Sequence, residues 1–427
     1  MAYCGYVVRI GLLRKHENAD RLQIATVFGN DVVVGLNVYV GDMMIYFPTD
    51  GQLSYDFAYK NELLREDKDG NKMNGYMDAK NRNIKAIRLR GEKSDGLLVP
   101  VESLSYLTDV TKFEVGEKID VVNGEVVCQK YIPAVKNQGG NGGGKAKAKN
   151  KKAEPKESFP FFNEHKDTAQ LAYSLRDFKE DDLFTVSLKM HGTSARTSNA
   201  LKEVKPSLLQ KLFRIKPRKS WGAISGSRRV VLNNYDGGFY GSNEFRKEWH
   251  DFFAKRLHKG ETVYYEIVGY VREGTPIMGD ADNTKMNDKE FVKKYGKTTR
   301  FSYGCEDGTN DVYVYRMTMT NEDGEVVEYP TWKAQVRCEE MGVKHVPVLM
   351  QGIFDNSTAL MHDVEGLMSG PDPIGKTHIR EGVVVRIENR SGFVAYKAKS
   401  FDFKVLEGII KENATEPDME EAQEVIA

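Results

Sequence analysis

The chain has 427 residues, in which 62 lysine and arginine residues balance 62 aspartate and glutamate residues. This length exceeds what one ordinary core organises, so it predicts two or three folding units. Hydrophobic residues make up 40% of the chain, and no apolar run approaches the roughly 20 residues that a membrane span needs. A net charge of zero does not exclude nucleic-acid binding, because basic groups can be gathered locally.

The N-terminal stretch and the cysteines indicate the cellular compartment. MAYCGYVVRIGLL alternates like a strand and has neither a basic n-region nor a small-residue cleavage site. Cys4, Cys128, Cys305 and Cys338 are scattered without a CxxC pair, so neither a disulfide framework nor a zinc knuckle is expected. We therefore expect a soluble cytoplasmic protein with reduced thiols and no membrane partner.

The first third of the chain predicts a small all-β domain, which we assign to residues 1–134. Short runs rich in β-branched and aromatic residues follow one another with Gly, Asn and Asp between them, as in GYVVRIGLL, RLQIATVFG, NDVVVGLNVYV and GDMMIYFP. This pattern is typical of a small barrel or sandwich.

Two polar features of this domain are compatible with nucleic acid. RKHENADRLQIATVFG resembles the first turn of tRNA-binding oligonucleotide-binding (OB) barrels, although the same groups also suit a turn held by side-chain to backbone hydrogen bonds. The residues that carry this likeness are His16, Asn18, Asp20 and Leu22. A later basic cluster suits a solvated face and a phosphate-binding face equally well. It contains Arg82, Lys85, Arg88, Arg90 and Lys93.

A change in composition then divides the chain. KNQGGNGGGKAKAKNKKAEPKE has glycine, lysine and asparagine where a core would need apolar residues. Its lysines repel one another and keep the segment extended, and they suit either a solubilising tether or a loose contact with a polyanion. We predict a flexible linker over residues 135–157.

Beyond the linker, strand and helix signals alternate in an α+β pattern. The strand-like runs are LFTVSLKM, RRVVLNN, TVYYEIVGYV, DVYVYRMTMT, GVVVRIE and GFVAYKAKSF, and NEFRKEWHDFFAKRLHK has a helical pattern. We predict a domain over residues 158–410 and an acidic tail, disordered or helical, over residues 411–427.

Several of these apolar strands carry ionisable residues near their ends, where burial without a partner is costly. Lys189 and His191 are two residues apart, as are Lys397 and Lys399, so each pair points to one face of its strand. Converging lysines, arginine and glutamates suit a triphosphate with a divalent metal. A lysine is nucleophilic only when neutral, and burial or neighbouring positive charge can lower its pKa. For Lys189 we expect Lys397, Lys399 and a metal to supply that charge.

Each of these residues also has an ordinary structural interpretation. Taken alone, Glu266 or Glu381 could be a solvent-exposed carboxylate at the end of a strand. Taken alone, His191 could be a turn residue whose ring nitrogens are hydrogen-bonded within the turn. Arg229 is expected to face solvent more than Arg228. Only the order of all these residues together favours a site.

That order resembles the covalent nucleotidyltransferase superfamily of ATP-dependent ligases and capping enzymes. Its first motif, Lys-x-Asp-Gly, is similar to Lys189–Gly192 here, with His191 in the place of aspartate. This variant is found in phage-type duplex RNA ligases and mitochondrial editing ligases. Those ligases continue with Thr-Asn, in which the asparagine would contact the RNA end, where this chain has Thr193 and Ser194.

The remaining motifs follow in the order of that superfamily over about residues 183–405. They resemble an arginine after a small residue, Glu-x-x-Gly, an aromatic strand that stacks on adenine, Glu-Gly followed by two apolar residues, and Lys-x-Lys. The matching positions are Arg228, Glu266 to Gly269, Tyr313 or Tyr315, Glu381 to Val384, and Lys397 with Lys399.

The resemblance implies an ATP-dependent RNA ligase in which Lys189 becomes adenylated and Lys397 and Lys399 neutralise the α-phosphate. Glu381 and Glu266 would hold hydrated Mg²⁺ or Mn²⁺, or the ribose hydroxyls. The residues implied to bind ATP are His191, Gly192, Arg228, Glu266, Tyr313, Tyr315, Glu381, Lys397 and Lys399. Arg228 would touch the ribose or the RNA 5′-phosphate.

The order of the domains narrows the expected substrate. Only residues 400–427 follow Lys399, too few for the C-terminal barrel of DNA ligases and capping enzymes, and the barrel-like domain comes first. This arrangement resembles a smaller RNA ligase group that seals nicks with 3′-hydroxyl and 5′-phosphate ends. We expect a monomer acting on RNA ends or nicked RNA-containing duplexes. A DNA ligase and a non-catalytic RNA-binding protein with a degenerate transferase domain are the alternatives.

Two segments look longer than a minimal ligase needs. Residues 201–222 are strongly basic and suit contact with RNA phosphates, and residues 280–304 form the second.

Overall fold

The structure is a computed structural model that describes residues 3–132, 157–204, 218–232, 235, 240 and 242–413. All of the predicted linker except Glu157, the middle of the basic segment and the tail beyond residue 413 lie outside the described residues. The described chain forms an N-terminal part made mainly of strands and a C-terminal part of antiparallel sheets with flanking helices. The predicted α+β class is therefore confirmed.

The N-terminal part consists of short strands and one short helix, α1 (Tyr55–Lys60), which Ser54 caps by accepting a hydrogen bond from the backbone N–H of Phe57. The strands are β1 (Gly5–Arg9), β2 (Leu13–Lys15), β3 (Leu22–Val27), β4 (Asn30–Gly35), β5 (Met43–Phe47), β6 (Gly51–Leu53), β7 (Ala86–Leu89), β8 (Glu92–Asp95), β9 (Leu97–Pro100), β10 (Lys118–Ile119), β11 (Val121–Val122), β12 (Glu125–Val126) and β13 (Cys128–Lys130).

These strands form several small sheets around two apolar clusters. One sheet has the order β10-β1-β5-β9, and β2, β3 and β4 form a meander beside it. Val7 and Ile45 lie in the first cluster, whereas Ala25 and Val32 lie in the second. Because adjacent residues of a strand point to opposite faces, β1 and β5 contribute side chains to both clusters.

The turn after β2 uses the polar residues of the OB-like motif to hold its own backbone. His16 is fully buried, its Nδ1 accepts a hydrogen bond from the N–H of Asn18 at 3.1 Å, and its Nε2 lies 3.1 Å from the carbonyl oxygen of Leu89. The side-chain amide of Asn18 donates to the carbonyl oxygen of Arg90 at 3.0 Å. These contacts support the structural interpretation of the motif, as a turn tied to the β7–β8 hairpin.

In the C-terminal part, the helices are α2 (Glu244–Ala254), α3 (Lys289–Tyr295), α4 (Thr331–Met341), α5 (Ser357–Met368) and α6 (Phe401–Asn413). The strands are β14 (Glu157–Ser158), β15 (Ala169–Gln170), β16 (Leu183–Lys189), β17 (Thr193–Val204), β18 (Arg218–Gly226), β19 (Glu261–Arg272), β20 (Thr275–Pro276), β21 (Ala281–Asp282), β22 (Thr298–Thr299), β23 (Asn310–Thr320), β24 (Val326–Glu328), β25 (Lys344–His345), β26 (Val348–Ile353), β27 (Gly382–Ile387) and β28 (Val394–Lys399).

Two sheets organise this part. The first has the order β14-β17-β19-β23-β24, with β18 beside β17, and the second has the order β15-β28-β27-β16-β26. The neighbours along β17, β19 and β23 and along β28, β27, β16 and β26 pair in the antiparallel sense. Helices α2 and α4 pack on the first sheet, and α5 packs on the second. Each sheet thus has its own apolar core.

One predicted strand is wrong. Residues 227–229, which include Arg228 and Arg229 of the run RRVVLNN, form a bend, and Val231 makes a single bridge to Gly226. The chain reverses directly after β18, because the N–H of Ser227 donates to the carbonyl oxygen of Val230 and the N–H of Leu232 donates to Ser225. The polar groups that a strand would offer to a neighbour are used inside this turn.

The basic segment over residues 201–222 is described only at its two ends. Its two described ends belong to β17 and β18, which pair from Arg196 with Gly226 to Val204 with Arg218. Among the described residues, no helix is long and apolar enough to cross a membrane.

We predict that Phe253→Ala lowers the free energy of unfolding by about 3–5 kcal/mol, because the fully buried ring of Phe253 leaves a cavity in the core of the first sheet. Urea titration followed by circular dichroism measures the change. Trp332→Ala is the control, because Trp332 is 63% exposed and its loss should change stability by less than about 0.5 kcal/mol. Equal losses in the two variants would contradict the assignment of this core.

Candidate active site

A cavity lies where the two sheets meet, and both sheets supply its lining. The second sheet contributes Lys189 from the end of β16 and Lys397 and Lys399 from β28. The first sheet contributes Glu266 from β19 and Tyr315 from β23. The structure therefore brings together five residues that the sequence spreads over the range from Lys189 to Lys399.

Strand pairing sets Lys189 against Glu381. Lys189 pairs with Gly382 in the β16–β27 ladder, and its Nζ lies 2.8 Å from Oε1 of Glu381. The side chain of Glu381 is only 3% exposed. A Cβ atom on Gly382 would lie 2.0 Å from the carbonyl oxygen of Ala398, so glycine is required where β27 passes β28.

This ion pair sets the charge state of Lys189 in the chain alone. Burial and the charge of Lys399 lower the pKa of Lys189, but attraction to Glu381 and Glu266 outweighs both, so the pKa is raised above the ordinary lysine value. The two neighbouring lysines therefore do not by themselves lower this pKa, and the lowering expected from the lysines together with a metal stays a prediction. Burial would raise the pKa of Glu381, and Lys189 and Lys399 instead hold it well below the usual range.

The second pair of lysines differs in its surroundings. Lys399 Nζ lies 2.8 and 2.9 Å from the two carboxylate oxygens of Glu407 and 3.5 Å from Oε1 of Glu381. Burial, followed by repulsion from Lys399 and Lys189, lowers the pKa of Lys397 to about 8. The cavity therefore gathers more positive than negative charge, which suits an anionic ligand.

His191 is held between two aromatic rings. The centroids of Phe301 and Phe403 lie 4.6 and 4.8 Å from its imidazole, both edge-on, and its Nδ1 lies 3.6 Å from Oε2 of Glu381. The N–H of His191 donates to the hydroxyl of Tyr303 at 2.7 Å. The segment over residues 280–304, predicted as an insertion, therefore supports His191 directly.

Gly192 and Ser194 follow at the point where the chain enters the first sheet. A Cβ atom on Gly192 would lie 2.4 Å from the carbonyl oxygen of Ile267, so only glycine allows this approach. Ser194 pairs with Glu266 across β17 and β19, and its hydroxyl donates to Oε1 of Glu266 at 2.5 Å. The residue in the place of the family asparagine thus orients a carboxylate of the cavity.

A β-bulge distinguishes the two candidate tyrosines. Tyr264 pairs with Arg316 and the next residue, Tyr265, pairs with Val314, so Tyr315 is the extra residue of β23. A bulge re-aims the side chain that it carries. Tyr315 lines the cavity and its hydroxyl lies 3.0 Å from Nδ1 of His165.

Tyr313 lies elsewhere. It is 5% exposed and belongs to the apolar core of the first sheet, and the ammonium group of Lys344 lies 5.4 Å from the centre of its ring. The structure does not bring Tyr313 into the cavity lining, although both tyrosines were candidates.

The two adjacent arginines share one carboxylate. Arg228 lies 2.6 Å from Oδ1 of Asp167, and Arg229 lies 3.2 Å from Oδ2. Burial would raise the pKa of Asp167, but Arg228 and Arg229 lower it to about 2. Arg228 lines the cavity, whereas the side chain of Arg229 is 47% exposed, in agreement with the expected difference between them.

Several lining residues were missed by sequence reasoning. Glu407 lies on α6 outside any motif, and Arg386 follows the Glu-Gly motif on β27 without a spacing signal. Asp50 and Lys130 come from the N-terminal part and line the same cavity. No local pattern could have related these two residues to Lys189, because only the packing of the two parts brings them near.

The carboxylates suit a cation that keeps most of its own water. Among the described residues, no cluster of three or more His, Cys, Asp or Glu side chains could hold a metal ion. Oε2 of Glu381 is buried and accepts no hydrogen bond within this described set. Mg²⁺ commonly binds one or two carboxylates together with substrate phosphates and water, so Glu381 with Glu266 fits such a site.

Comparisons with known proteins identify both parts of the chain. A sequence model described as RNA ligase matches residues 182–406, which are more than half of the chain. A model described as an OB-fold domain matches residues 5–101. A comparison with curated proteins returned no match.

Solved structures give the same fold. A Naegleria gruberi RNA ligase mutant with AMP and Mn has a TM-score of 0.55 at 15% identity, with 94% of this chain and 97% of that chain covered. A mutant of that ligase with ATP and Mn gives 0.54 at 15% identity, with 97% and 99% covered. The same ligase with PPi gives 0.55 at 16% identity, with 93% and 96% covered.

At these identities the structural likeness establishes the fold, and the sequence model establishes the family. The N-terminal part is an OB-fold domain, and the C-terminal part is a ligase domain. This chain therefore belongs to the RNA ligase family of enzymes.

Proposed function

We propose that the protein is an ATP-dependent RNA ligase that joins 3′-hydroxyl and 5′-phosphate ends, as at nicks in duplexes, through a lysyl-AMP intermediate. The observation that supports this most is the buried pair of Lys189 and Glu381, with Lys397 and Lys399 on the same cavity. An amine nucleophile beside cationic groups suits attack on a phosphate.

In the first step, Lys189 Nζ attacks the α-phosphorus of ATP. A nitrogen–phosphorus bond forms while the bond from the α-phosphorus to the bridging oxygen breaks, and pyrophosphate leaves. Lys189 must first lose a proton, and its pairing with Glu381 opposes this loss. Lys189 would release this proton to solvent water and become nucleophilic once another cation weakened its pairing with Glu381.

Glu381 with Glu266 would hold Mg²⁺ or Mn²⁺, which would supply positive charge beside the carboxylate of Glu381 and the α-phosphate. Ser194 keeps Glu266 directed at this position through its hydrogen bond to Oε1. Lys397 and Lys399 stabilise the negative charge that develops on the phosphate oxygens.

We propose that the adenine base of ATP binds between the two sheets. Tyr315 lines the cavity from the first sheet, and Val384 lines it from the second. An aromatic ring on one side and an aliphatic side chain on the other suit a purine, because bases stack well on aromatic rings. We assign adenine stacking to Tyr315. His191 and Gly192 serve by shaping the cavity between Lys189 and the first sheet.

The N-terminal domain is also proposed to contribute to the reaction of Lys189 with ATP. Asp50 and Lys130 line the cavity from outside the transferase sheets. We propose that this domain contacts the leaving end of the triphosphate, which is the task of the C-terminal barrel in DNA ligases and capping enzymes.

Two further transfers complete the reaction. The RNA 5′-phosphate attacks the phosphorus of lysyl-AMP, which breaks the bond to Lys189 and gives an adenylylated RNA end. The 3′-hydroxyl then attacks the 5′-phosphorus, a phosphodiester bond forms, and AMP leaves. Arg228, oriented by Asp167, suits contact with the RNA 5′-phosphate or the ribose.

We predict that incubation with ATP labelled at the α-phosphate and a divalent metal labels the wild-type protein but not Lys189→Ala. The reason is that alanine has no amine to form the phosphoramidate. Lys247→Met is the control, since Lys247 pairs with Asp251 on the exposed face of α2. Persistent labelling of Lys189→Ala would contradict the assignment, and an unlabelled wild type that still binds RNA would favour a non-catalytic RNA-binding protein.

The two tyrosines should behave differently. Tyr315→Ala is expected to raise the apparent KM for ATP about 5- to 100-fold with little loss of stability, because a stacking contact of about 1–3 kcal/mol is removed. Tyr313→Ala is expected to lower the unfolding temperature, because it leaves a cavity in the core. Initial rates of lysyl-AMP formation and thermal unfolding measure the two effects. The reverse pattern would show that Tyr313 stacks on the base.

Nicked duplexes with RNA or DNA on the 3′-hydroxyl side separate an RNA ligase from a DNA ligase. We expect sealing of the RNA-terminated nick and at least about tenfold slower sealing of its DNA counterpart, since loss of a contact to the terminal 2′-hydroxyl removes about one hydrogen bond. Gel separation of the joined strands gives both rates. Equal rates, or faster sealing of the DNA nick, would favour the DNA ligase.

A further inference from the structure

Helix α6 connects the cavity with the N-terminal domain. It begins directly after Lys399 and Ser400, and the hydroxyl of Ser400 accepts a hydrogen bond from the N–H of Phe403 at 3.2 Å. Phe403 is fully buried against His191. The first turns of α6 are therefore fixed at the cavity, immediately after the Lys-x-Lys motif.

Glu407 on α6 holds the ammonium group of Lys399 with both carboxylate oxygens, at 2.8 and 2.9 Å. Their side chains are 10% and 11% exposed, so solvent screens the pair weakly. A two-oxygen contact to a buried ammonium group restricts both its position and its direction more than a single contact would.

The contact between Glu407 and Lys399 also determines which carboxylate each lysine of the cavity pairs with. Lys399 Nζ lies 3.5 Å from the Glu381 oxygen that Lys189 contacts at 2.8 Å, so the two lysines approach one carboxylate oxygen. Glu407 supplies a second carboxylate for Lys399. Without Glu407, Lys399 would be free to move onto Glu381 and away from the position where it faces a phosphate.

Helix α6 is also bound to the β7–β8 hairpin of the N-terminal domain. Lys404 lies 2.6 Å from Oδ2 of Asp95, and Asp402 lies 2.7 Å from Arg88. Asp95 is 4% exposed, so its carboxylate depends on a partner such as Lys404. Phe401 adds to the contact, with Arg88 and Lys93 at 5.4 and 5.5 Å from its ring centre.

These contacts explain part of the basic cluster seen in the sequence. Arg88 and Lys93 face α6, and Arg82 donates to the carbonyl oxygen of Leu53 at 3.0 Å inside its own domain. The side chain of Arg88 is only 15% exposed, so this member of the cluster belongs to an interface between domains, a role that the sequence did not predict.

We propose that Glu407 is a positioning residue for Lys399 and that the Lys404–Asp95 ion pair makes this position depend on the N-terminal domain. Lys404 and Glu407 are three residues apart on α6, so they lie about one turn from each other on neighbouring surfaces of the helix. A shift or rotation of α6 that loosens Lys404 from Asp95 also moves Glu407 relative to Lys399. This inference rests on the proposed lysyl-AMP chemistry and adds to it a residue and a domain contact that lie outside the motifs.

The first test compares Glu407→Gln with the wild-type chain in single-turnover formation of lysyl-AMP. The maximal rate is expected to fall about 10- to 100-fold, with the apparent KM for ATP changed less than about threefold, because one charged hydrogen-bond contact is lost from a group that acts on the transferring phosphate. Glu407→Asp, which keeps the charge, should recover part of the rate. Glu340→Gln, an exposed carboxylate on α4, is the matched control and should react at the wild-type rate.

A merely structural role for Glu407 would lower the fraction of active protein and the unfolding temperature, and Glu407→Gln would then keep the wild-type rate per active site. A wild-type rate per active site in Glu407→Gln therefore overturns the inference. The proposed function still stands in that case if the wild-type protein is labelled. A wild-type protein that forms no lysyl-AMP overturns both.

The second test is a double-mutant cycle in the full chain with Asp95→Asn, Lys404→Met and the double variant. Each single variant should lower the maximal rate of lysyl-AMP formation about 3- to 30-fold, and the double variant should equal the slower single variant, because all three lack the same ion pair. Lys404 is partly exposed, so Lys404→Met keeps the test available if Asp95→Asn does not fold. Wild-type rates in the single variants, or losses that multiply in the double variant, overturn the dependence on the N-terminal domain.

Discussion

The ion pair between Lys189 and Glu381 is the contact on which the rest of the site depends. Both groups are largely removed from water, and an isolated carboxylate at this depth would be very costly. Strand pairing provides the partner, because Lys189 faces Gly382 in the ladder and Glu381 comes directly before it. A one-residue change of register would turn Lys189 to the other face of β16, so the ladder and the pair require each other.

The pair also explains why the cavity suits an anionic ligand. Glu381 and Glu407 hold Lys189 and Lys399, and burial, followed by repulsion from these two ammonium groups, lowers the pKa of Lys397. A bound phosphate would relieve that repulsion. In the chain alone, attraction to Glu381 outweighs burial and raises the pKa of Lys189, which favours its protonated form. In the proposed mechanism, Lys189 would therefore stay protonated until a cation competes for Glu381.

The two domains act on this balance of charges from different directions. The two sheets of the ligase domain carry the charged motifs. The OB-fold domain adds Asp50 and Lys130 to the cavity lining and binds α6 through Asp95. The OB-fold domain precedes the ligase domain in the chain and contacts the cavity only because the two domains pack together. Phe301 and Tyr303 likewise contact His191 from a distant part of the chain. The ring of Phe301 packs edge-on against the imidazole, and the hydroxyl of Tyr303 accepts a hydrogen bond from the backbone N–H of His191.

Sequence by itself determined the α+β class and several of the long strands. It also singled out Lys189, Glu266, Glu381, Lys397 and Lys399, which all line the cavity, because charged side chains on apolar strands require partners or ligands. Tertiary structure decided what has no local signal. The bulge at Tyr315 separated it from Tyr313, a turn replaced the strand predicted at RRVVLNN, and Glu407 reached Lys399 from a helix. Contacts between residues far apart in the chain depend on how sheets and domains pack, and periodicity along one segment carries no information about that packing.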